Sequence, residues 1–133
     1  MLGMFNYTIT LLNRLKGNDF SDSYYKTVIS NVCLQNKIKA DNNATNSRVE
    51  SHCYVYIHKN ILPKPYLKPK DWISSNNKSN TLTFKDDDYF VVGEISETSI
   101  TDINSIYDKY DNVFKIYSVA DFNVIDSFHL KGK

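Results

Sequence analysis

Asn6-Tyr7-Thr8-Ile9-Thr10-Leu11-Leu12 sets the pattern from which the rest of the chain is read. Tyr7, Ile9 and Leu11 fall at every second position, with Asn6, Thr8 and Thr10 between them. Alternate side chains of a strand point to opposite faces, so residues 4–12 read as a half-buried strand. The same reading extends outward. Residues 24–32 are rich in Tyr, Thr, Val and Ile and predict a long or bulged strand running on toward Ile38. His52-Cys53-Tyr54-Val55-Tyr56-Ile57-His58 is aromatic and β-branched throughout. Thr81-Leu82-Thr83-Phe84, the acidic turn Lys85-Asp86-Asp87-Asp88 and residues 89–95 predict a β-hairpin. Residues 113–119 and 124–130 are the expected closing strands, separated by a turn near Asp121-Phe122-Asn123.

Between these runs the chain changes character. Gly17-Asn18-Asp19 marks a turn, and residues 37–50 hold Asp41-Asn42-Asn43-Ala44-Thr45-Asn46-Ser47 without a large apolar anchor, which predicts a mobile, solvated loop. Pro63, Pro65 and Pro69 predict an extended connector, followed by a single helical turn capped by Asp71 before Trp72 and Ile73. Ile103, Ile106, Tyr107 and Tyr110 fall at helical spacing behind Thr101-Asp102, so residues 102–110 are the one expected helix. The expected fold is therefore mainly β: a small antiparallel β-barrel or sandwich of about seven strands, with one short helix and long loops. Its core is expected from Tyr7, Ile9, Leu11, Val28, Val55, Ile57, Val91, Ile95, Ile116 and Val119, with Ile106 and Tyr110 of the helix packed on the barrel.

Composition agrees with one domain over residues 1–133. The chain is 41% hydrophobic, 23% charged and carries a net charge of +1, with ten Tyr, seven Phe, four Gly and three Pro. Near-neutral charge argues against duplex DNA or an anionic membrane as the main partner, since both usually demand a basic excess. No apolar run approaches the roughly 20 residues that span a bilayer. Residues 1–12 lack a basic start and read as strand alternation, so no secretory signal is expected and the protein is expected in the cytosol where it is made.

The reactive side chains form no recognisable centre. Cys33 and Cys53 are expected as strand thiols. His52 and His58 share a strand face that Cys53 does not, and no CxxC or HxxxH spacing supplies further ligands, so no metal is expected. Asp86-Asp87-Asp88 lacks the spaced ligands of a calcium loop and reads as a solvated turn. Glu94 has no second acid at a defined spacing and reads as a surface or inter-subunit charge. No nucleophile elbow, phosphate loop or dinucleotide fingerprint is present, so neither an enzyme nor a cofactor is expected. Lys64, Lys68 and Lys70, interleaved with Tyr66 and Trp72, form the basic and aromatic cluster that stands out. Such a cluster suits nucleic acid, since lysine neutralises phosphate and rings stack bases. The reading favoured by the low net charge is a connector whose Tyr66, Leu67 and Trp72 dock on the barrel.

Several segments, taken in order, resemble a family of small bacteriophage and prophage minor structural proteins. They are Thr8-Ile9-Thr10-Leu11-Leu12-Asn13-Arg14, Tyr24-Tyr25-Lys26-Thr27-Val28-Ile29 with Val32 following, Val55-Tyr56-Ile57, Tyr66-Leu67-Lys68-Pro69-Lys70-Asp71-Trp72 and Thr81-Leu82-Thr83-Phe84. The likeness resumes at Asp88-Tyr89-Phe90-Val91-Val92-Gly93-Glu94, residues 103–113 and Ile116-Tyr117-Ser118-Val119-Ala120-Asp121. The chain departs from that pattern at Lys85-Asp86-Asp87-Asp88, where a Gly-Asp turn is usual, and in Ser127-Phe128-His129-Leu130-Lys131-Gly132-Lys133, which lacks the usual aromatic and double Gly.

The resemblance implies a head-tail connector of the head-completion or stopper type. Such a protein is a non-enzymatic small β-barrel forming a homo-oligomeric ring in the virion neck, where it retains packaged DNA and offers a surface for tail docking. Its implied partners are copies of itself, portal or adaptor and tail proteins, and the DNA in the channel, with no membrane. Lys37, Lys39 and Arg48 are the expected channel-loop residues near phosphate. Tyr66, Lys68, Lys70 and Trp72 are the expected contacts to a neighbouring protomer or adaptor ring. A tail-terminator or tail-completion ring is the alternative within the same class, and a small nucleic-acid-binding β-barrel is the alternative outside it.

Overall fold

In the computed structural model, which describes residues 6–17, 22–41, 48–122 and 126–133, Ile9 and Leu11 lie fully buried at the centre of a closed six-stranded antiparallel barrel. The strands are β1 (Tyr7–Lys16), β2 (Asp22–Asp41), β3 (Arg48–His58), β4 (Tyr89–Val92), β5 (Val113–Phe122) and β6 (Ser127–Gly132). Around the barrel their order is β1-β2-β3-β6-β5-β4, and β4 returns to β1 with Ile9 opposite Val92 and Leu12 opposite Tyr89. Closure leaves each strand a partner on both sides over at least part of its length, so the wall of the barrel itself has no open edge. The turn expected at Gly17-Asn18-Asp19, residues 42–47 of the expected loop, and Asn123 and Val124 lie partly or wholly outside the described residues.

Two strands turn the corners. β2 pairs with β1 up to Val32 and with β3 from Cys33 onward. At that switch Asn31 takes φ 63° and the register shifts. Asn tolerates the left-handed region, and the extra residue of a bulge bends its strand. Before the bulge Thr27 and Ile29 face the barrel interior; after it the inward set moves to Val32 and the half-buried Leu34. Val28, expected in the core, is therefore only half-buried: it stands opposite Thr10, whereas Thr27 and Ile29 stand opposite Leu11 and Ile9. Tyr7 pairs past the bulge with Val32 and is 47% exposed, so it too leaves the expected core. β5 turns the second corner, where its register with β6 shifts between Ile116 and Ser118.

β1 is covered on both faces. Ile9 and Leu11 join Val55, Ile57, Phe84, Phe90, Ile116, Phe128 and Leu130 inside the barrel. Leu12 belongs to a second cluster with Tyr24, Tyr89, Val91, Ile95, Ile100, Ile106 and Val113. That outer cluster is closed by helix α2 (Ile103–Lys109), whose first turn is capped by the Asp102 carboxylate accepting from the Asn104 amide at 3.0 Å. The helix matches the expected span and packs Ile106 and Tyr110 as expected. Close approach within the barrel fixes Gly132: a Cβ there would lie 2.6 Å from Cε1 of Phe90, whose ring stacks on Phe114.

The hairpin expected between residues 81–84 and 89–95 does not form. Both edges of β4 are taken, by β1 and by β5. Residues 81–84 instead run into the barrel, where Leu82 and Phe84 join the core. Their backbone pairs across residues 65–67, with the Leu67 amide donating to the Leu82 carbonyl at 2.9 Å and the Leu82 amide to the Pro65 carbonyl at 3.1 Å. Six strands thus replace the expected seven. A short helix, α1 (Pro69–Ser74), follows the proline-rich connector, with Pro69 at its start, Lys68 as its N-cap, and Asp71 within its first turn.

Candidate functional site

The pairing of β2 with β3 outruns the barrel. β6 meets β3 only from Cys53 to His58, and β1 meets β2 only up to Val32. Beyond them the β2–β3 ladder continues through Lys37 opposite His52, Ile38 opposite Ser51, Lys39 opposite Glu50, Ala40 opposite Val49 and Asp41 opposite Arg48. At about 3.3 Å per residue these five pairs extend the ribbon by roughly 16 Å. Lys37, Lys39 and Arg48 therefore lie on strands, not in the loop expected over residues 37–50. Alternation of β-competent Ile38, Ala40 and Val49 with charged residues sustains the ladder that the anchor-free composition of residues 41–47 obscured.

The second expected surface separates into buried and exposed parts. Trp72 is 0% exposed, and its ring meets Tyr25 edge-on at 5.6 Å. Tyr25 stands opposite Asn13 and shares the inner face of β2 with Thr27 and Ile29, so α1 seats Trp72 at one end of the barrel. Tyr66 lies 4.5 Å from Phe128 and stacks on Phe84. Lys64 donates to the Lys26 carbonyl and to Thr27 Oγ1, and burial lowers its pKa. Lys68 and Lys70 are exposed, beside Ile73 of α1. Trp72 thus cannot serve as the expected inter-subunit contact in this conformation, because it has been drawn into the protein's own interior. Docking of Tyr66 and Trp72 on the barrel, the competing expectation, is what the chain does.

Beside Trp72 lies a polar centre that the sequence reading placed in solvent. Asp88 is 0% exposed. Its carboxylate accepts from Asn13 Nδ2 at 2.8 Å, the Arg14 amide at 2.9 Å, the Lys85 amide at 3.3 Å and the Lys85 ammonium. The same ammonium donates to the Arg14 carbonyl at 2.7 Å and lies 5.1 Å from the Trp72 ring centre. Burial pushes the Asp88 carboxyl up from its ordinary value, opposed by Lys85 and the surrounding donors. Only Asp86 and Asp87 form the exposed acidic turn. These contacts tie β1 to the turn before β4, a structural role that needs no substrate.

The strand face that the sequence gives to His52 and His58 belongs to a larger surface. On the outer face of β3, β6 and β5, opposite to Cys53, Val55 and Ile57 in the core, stand His52, Tyr54, Tyr56, His129, Lys131 and Tyr117. Tyr54 is opposite Lys131, and Tyr56 is opposite His129 with ring centres 4.4 Å apart. His52 Nδ1 lies 3.2 Å from the Tyr117 hydroxyl. The ammonium of Lys131 sits 5.3 Å from the Tyr54 ring centre and that of Lys133 sits 5.5 Å from the Tyr117 ring centre. A signal was available in the every-second-residue series His52, Tyr54, Tyr56 and His129, Lys131, Lys133, but only strand pairing shows that the two series are neighbours.

Among the described residues no group of three or more His, Cys, Asp or Glu is placed to hold a metal ion, and no helix is long and apolar enough to cross a membrane. Cys33 and Cys53 are free and buried, and burial pushes the Cys53 thiol up to about 11. Glu94 is exposed. No curated protein and no solved structure matches the chain. One family model, described as a family of unknown function (DUF6751), matches residues 4–131, and the chain belongs to that family.

Proposed function

We propose that this DUF6751 family member is a non-enzymatic structural protein of a bacteriophage virion, one protomer of a head-tail connector ring of the stopper or head-completion type. The observation that carries the reading is the two-stranded arm built from β2 and β3 beyond the closed barrel. A two-stranded ribbon is marginal in isolation. An arm that leaves the core behind, while the barrel itself needs no additional strand, is suited to contacts outside its own domain. The ordered likeness of the chain to phage minor structural proteins supplies the kind of assembly.

In such a ring the barrels form the wall, and head-to-tail contacts close by rotation. The arms point into the lumen, with Lys37, Lys39 and Arg48 near DNA phosphate. The segment Asn42-Asn43-Ala44-Thr45-Asn46-Ser47, polar and uncharged, narrows the passage without holding DNA tightly. The chain is made in the host cytoplasm, resides in the virion neck, and contacts portal or adaptor proteins on one side and tail proteins on the other. Lys68 at the N-cap of α1, and Lys70 and Ile73 on it, remain available for a neighbour, since Trp72 is not.

Replacing residues 42–47 by Asn-Gly keeps the ladder and removes the tip. Particles carrying this variant are expected to assemble and package but to lose DNA before tails join. Normal retention of DNA overturns the stopper reading. Recovery of the protein only in free tails, and never in DNA-filled tailless heads, assigns it instead to a tail-terminator ring.

A further inference from the structure

We infer that the outer face of β3, β6 and β5, carrying Tyr54, Tyr56, Tyr117, Lys131 and Lys133, is a platform for single-stranded nucleic acid. Three tyrosines and two histidines lie on one face, with two ammonium groups held at the rings of Tyr54 and Tyr117. Neither Lys131 nor Lys133 makes an ion pair among the described residues. Aromatic rings stack bases of any sequence, while lysines beside them neutralise phosphate. Lysine stems are flexible, so each ammonium can leave its ring for a phosphate when a base takes the ring's face.

The same observations weigh against other occupants. Duplex DNA presents its bases already stacked, so these rings would go unused, and two lysines alone neutralise too little backbone for duplex binding. A protein partner covering this face would bury two ammonium groups, and lysine is depleted where protein interfaces are fully buried. The whole-chain charge of +1 is no obstacle, since the basic groups are local to the face. This platform is remote in sequence from Lys68 and Lys70, and it stands whether or not the chain forms a ring.

The test is fluorescence anisotropy of a labelled dT15 oligonucleotide with the full chain, between 25 and 200 mM KCl. Binding at low salt that weakens as salt rises is expected. Tyr117→Ala and Tyr54→Ala should each weaken it about tenfold. The Lys131→Gln, Lys133→Gln double variant should reduce the slope of log affinity against log salt by roughly 1.4, about 0.7 per lost phosphate contact. Lys68→Gln with Lys70→Gln should change neither quantity. The inference is overturned if dT15 does not bind at 25 mM KCl, if a duplex of equal length binds as tightly, if the slope survives loss of both face lysines, or if the Lys68, Lys70 variant loses as much. Self-association abolished by Tyr117→Ala, without oligonucleotide binding, also overturns it and gives the face to a second copy. Because both lysines are exposed, their variant keeps the barrel intact and the slope readable even where a tyrosine variant unfolds. Oligonucleotide binding by a chain that never forms rings would sink the connector reading alone.

Discussion

Trp72 and Ile73 are adjacent in the chain and opposite in fate. Trp72 fills the end of the barrel against Tyr25, whereas Ile73 is 51% exposed on the far side of α1. Removing a buried Trp side chain costs about 3–5 kcal/mol, the lost burial plus the cavity left behind. Truncating an exposed Ile costs within roughly 0.5 kcal/mol. Urea unfolding of Trp72→Ala should therefore show a large fall in stability, and Ile73→Ala almost none; equal, small effects would place Trp72 at the surface after all. The sequence offers two readings of Trp72, contact to a neighbouring protomer or docking on its own barrel, and the structure buries it in the second way. What it covers depends on where α1 lands, and there Trp72 meets the Tyr25 ring from β2 and the Lys85 ammonium from the turn before β4. Asp88 was hidden for the same reason: its identity as a buried acceptor comes from Asn13 and the Arg14 amide, more than seventy positions away.

Elements whose own residues carry the period were legible, and features defined by pairing were not. β1, β3 and α2 announce themselves by period two or by helical spacing with a cap. Thr81–Phe84 alternates as convincingly as β1, yet β4 has no edge to offer it, so the alternation ends as core filling. At residues 37–41 and 48–50 the opposite occurred: backbone read as loop pairs as ribbon because β2 and β3 hold it in register from the barrel. The connection between α2 and the strand before it is tested by its dependence on pH. Glu97 accepts from the Tyr110 hydroxyl at 2.8 Å and from Lys109 at 3.0 Å, and its carboxyl is held down from 4.5 to about 2, first by the Tyr110 hydrogen bond and also by Lys109 and Ser96. Above pH 4.5 the carboxylate is ionised in both folded and unfolded chains, and its contribution to stability is fully present. As pH falls from 4.5 toward 2 the unfolded chain takes up the proton first, so the contribution is lost across that window. Urea midpoints measured at pH 5, 4 and 3 should fall more steeply for the wild type than for Glu97→Gln; parallel profiles would show that Glu97 is not tied to α2 in solution.

For the molecule as a whole, the mainly-β class and a single small barrel follow from strand patterns, while closure depends on two bulged corners that no local pattern announces. Asn31 and the shift near Tyr117 let β2 and β5 each serve two sheet segments, and six strands then suffice to close the wall. Cys53 provides the test of that closure. It lies on β3 with β2 on one side and β6 on the other, has no exposed surface, and its thiol is pushed up to about 11 by burial. Both access and thiolate formation must await opening of the wall, because the thiolate is the reactive form. A closed barrel has no free edge strand to peel away next to Cys53, so the opening that frees it should expose nearly the surface of global unfolding. In a Cys33→Ser background, labelling of Cys53 by a disulfide reagent at pH 8 should be slow. As urea is raised in the low range, its logarithm should climb with a slope matching the equilibrium m-value. A shallow slope, or rapid labelling without denaturant, would mean that β3 separates from β2 or β6 by itself and that the wall is open in solution. The β2–β3 arm makes this a demanding comparison, since fraying of the arm at Lys37–Asp41 leaves Cys53 covered by β6 and should not accelerate labelling.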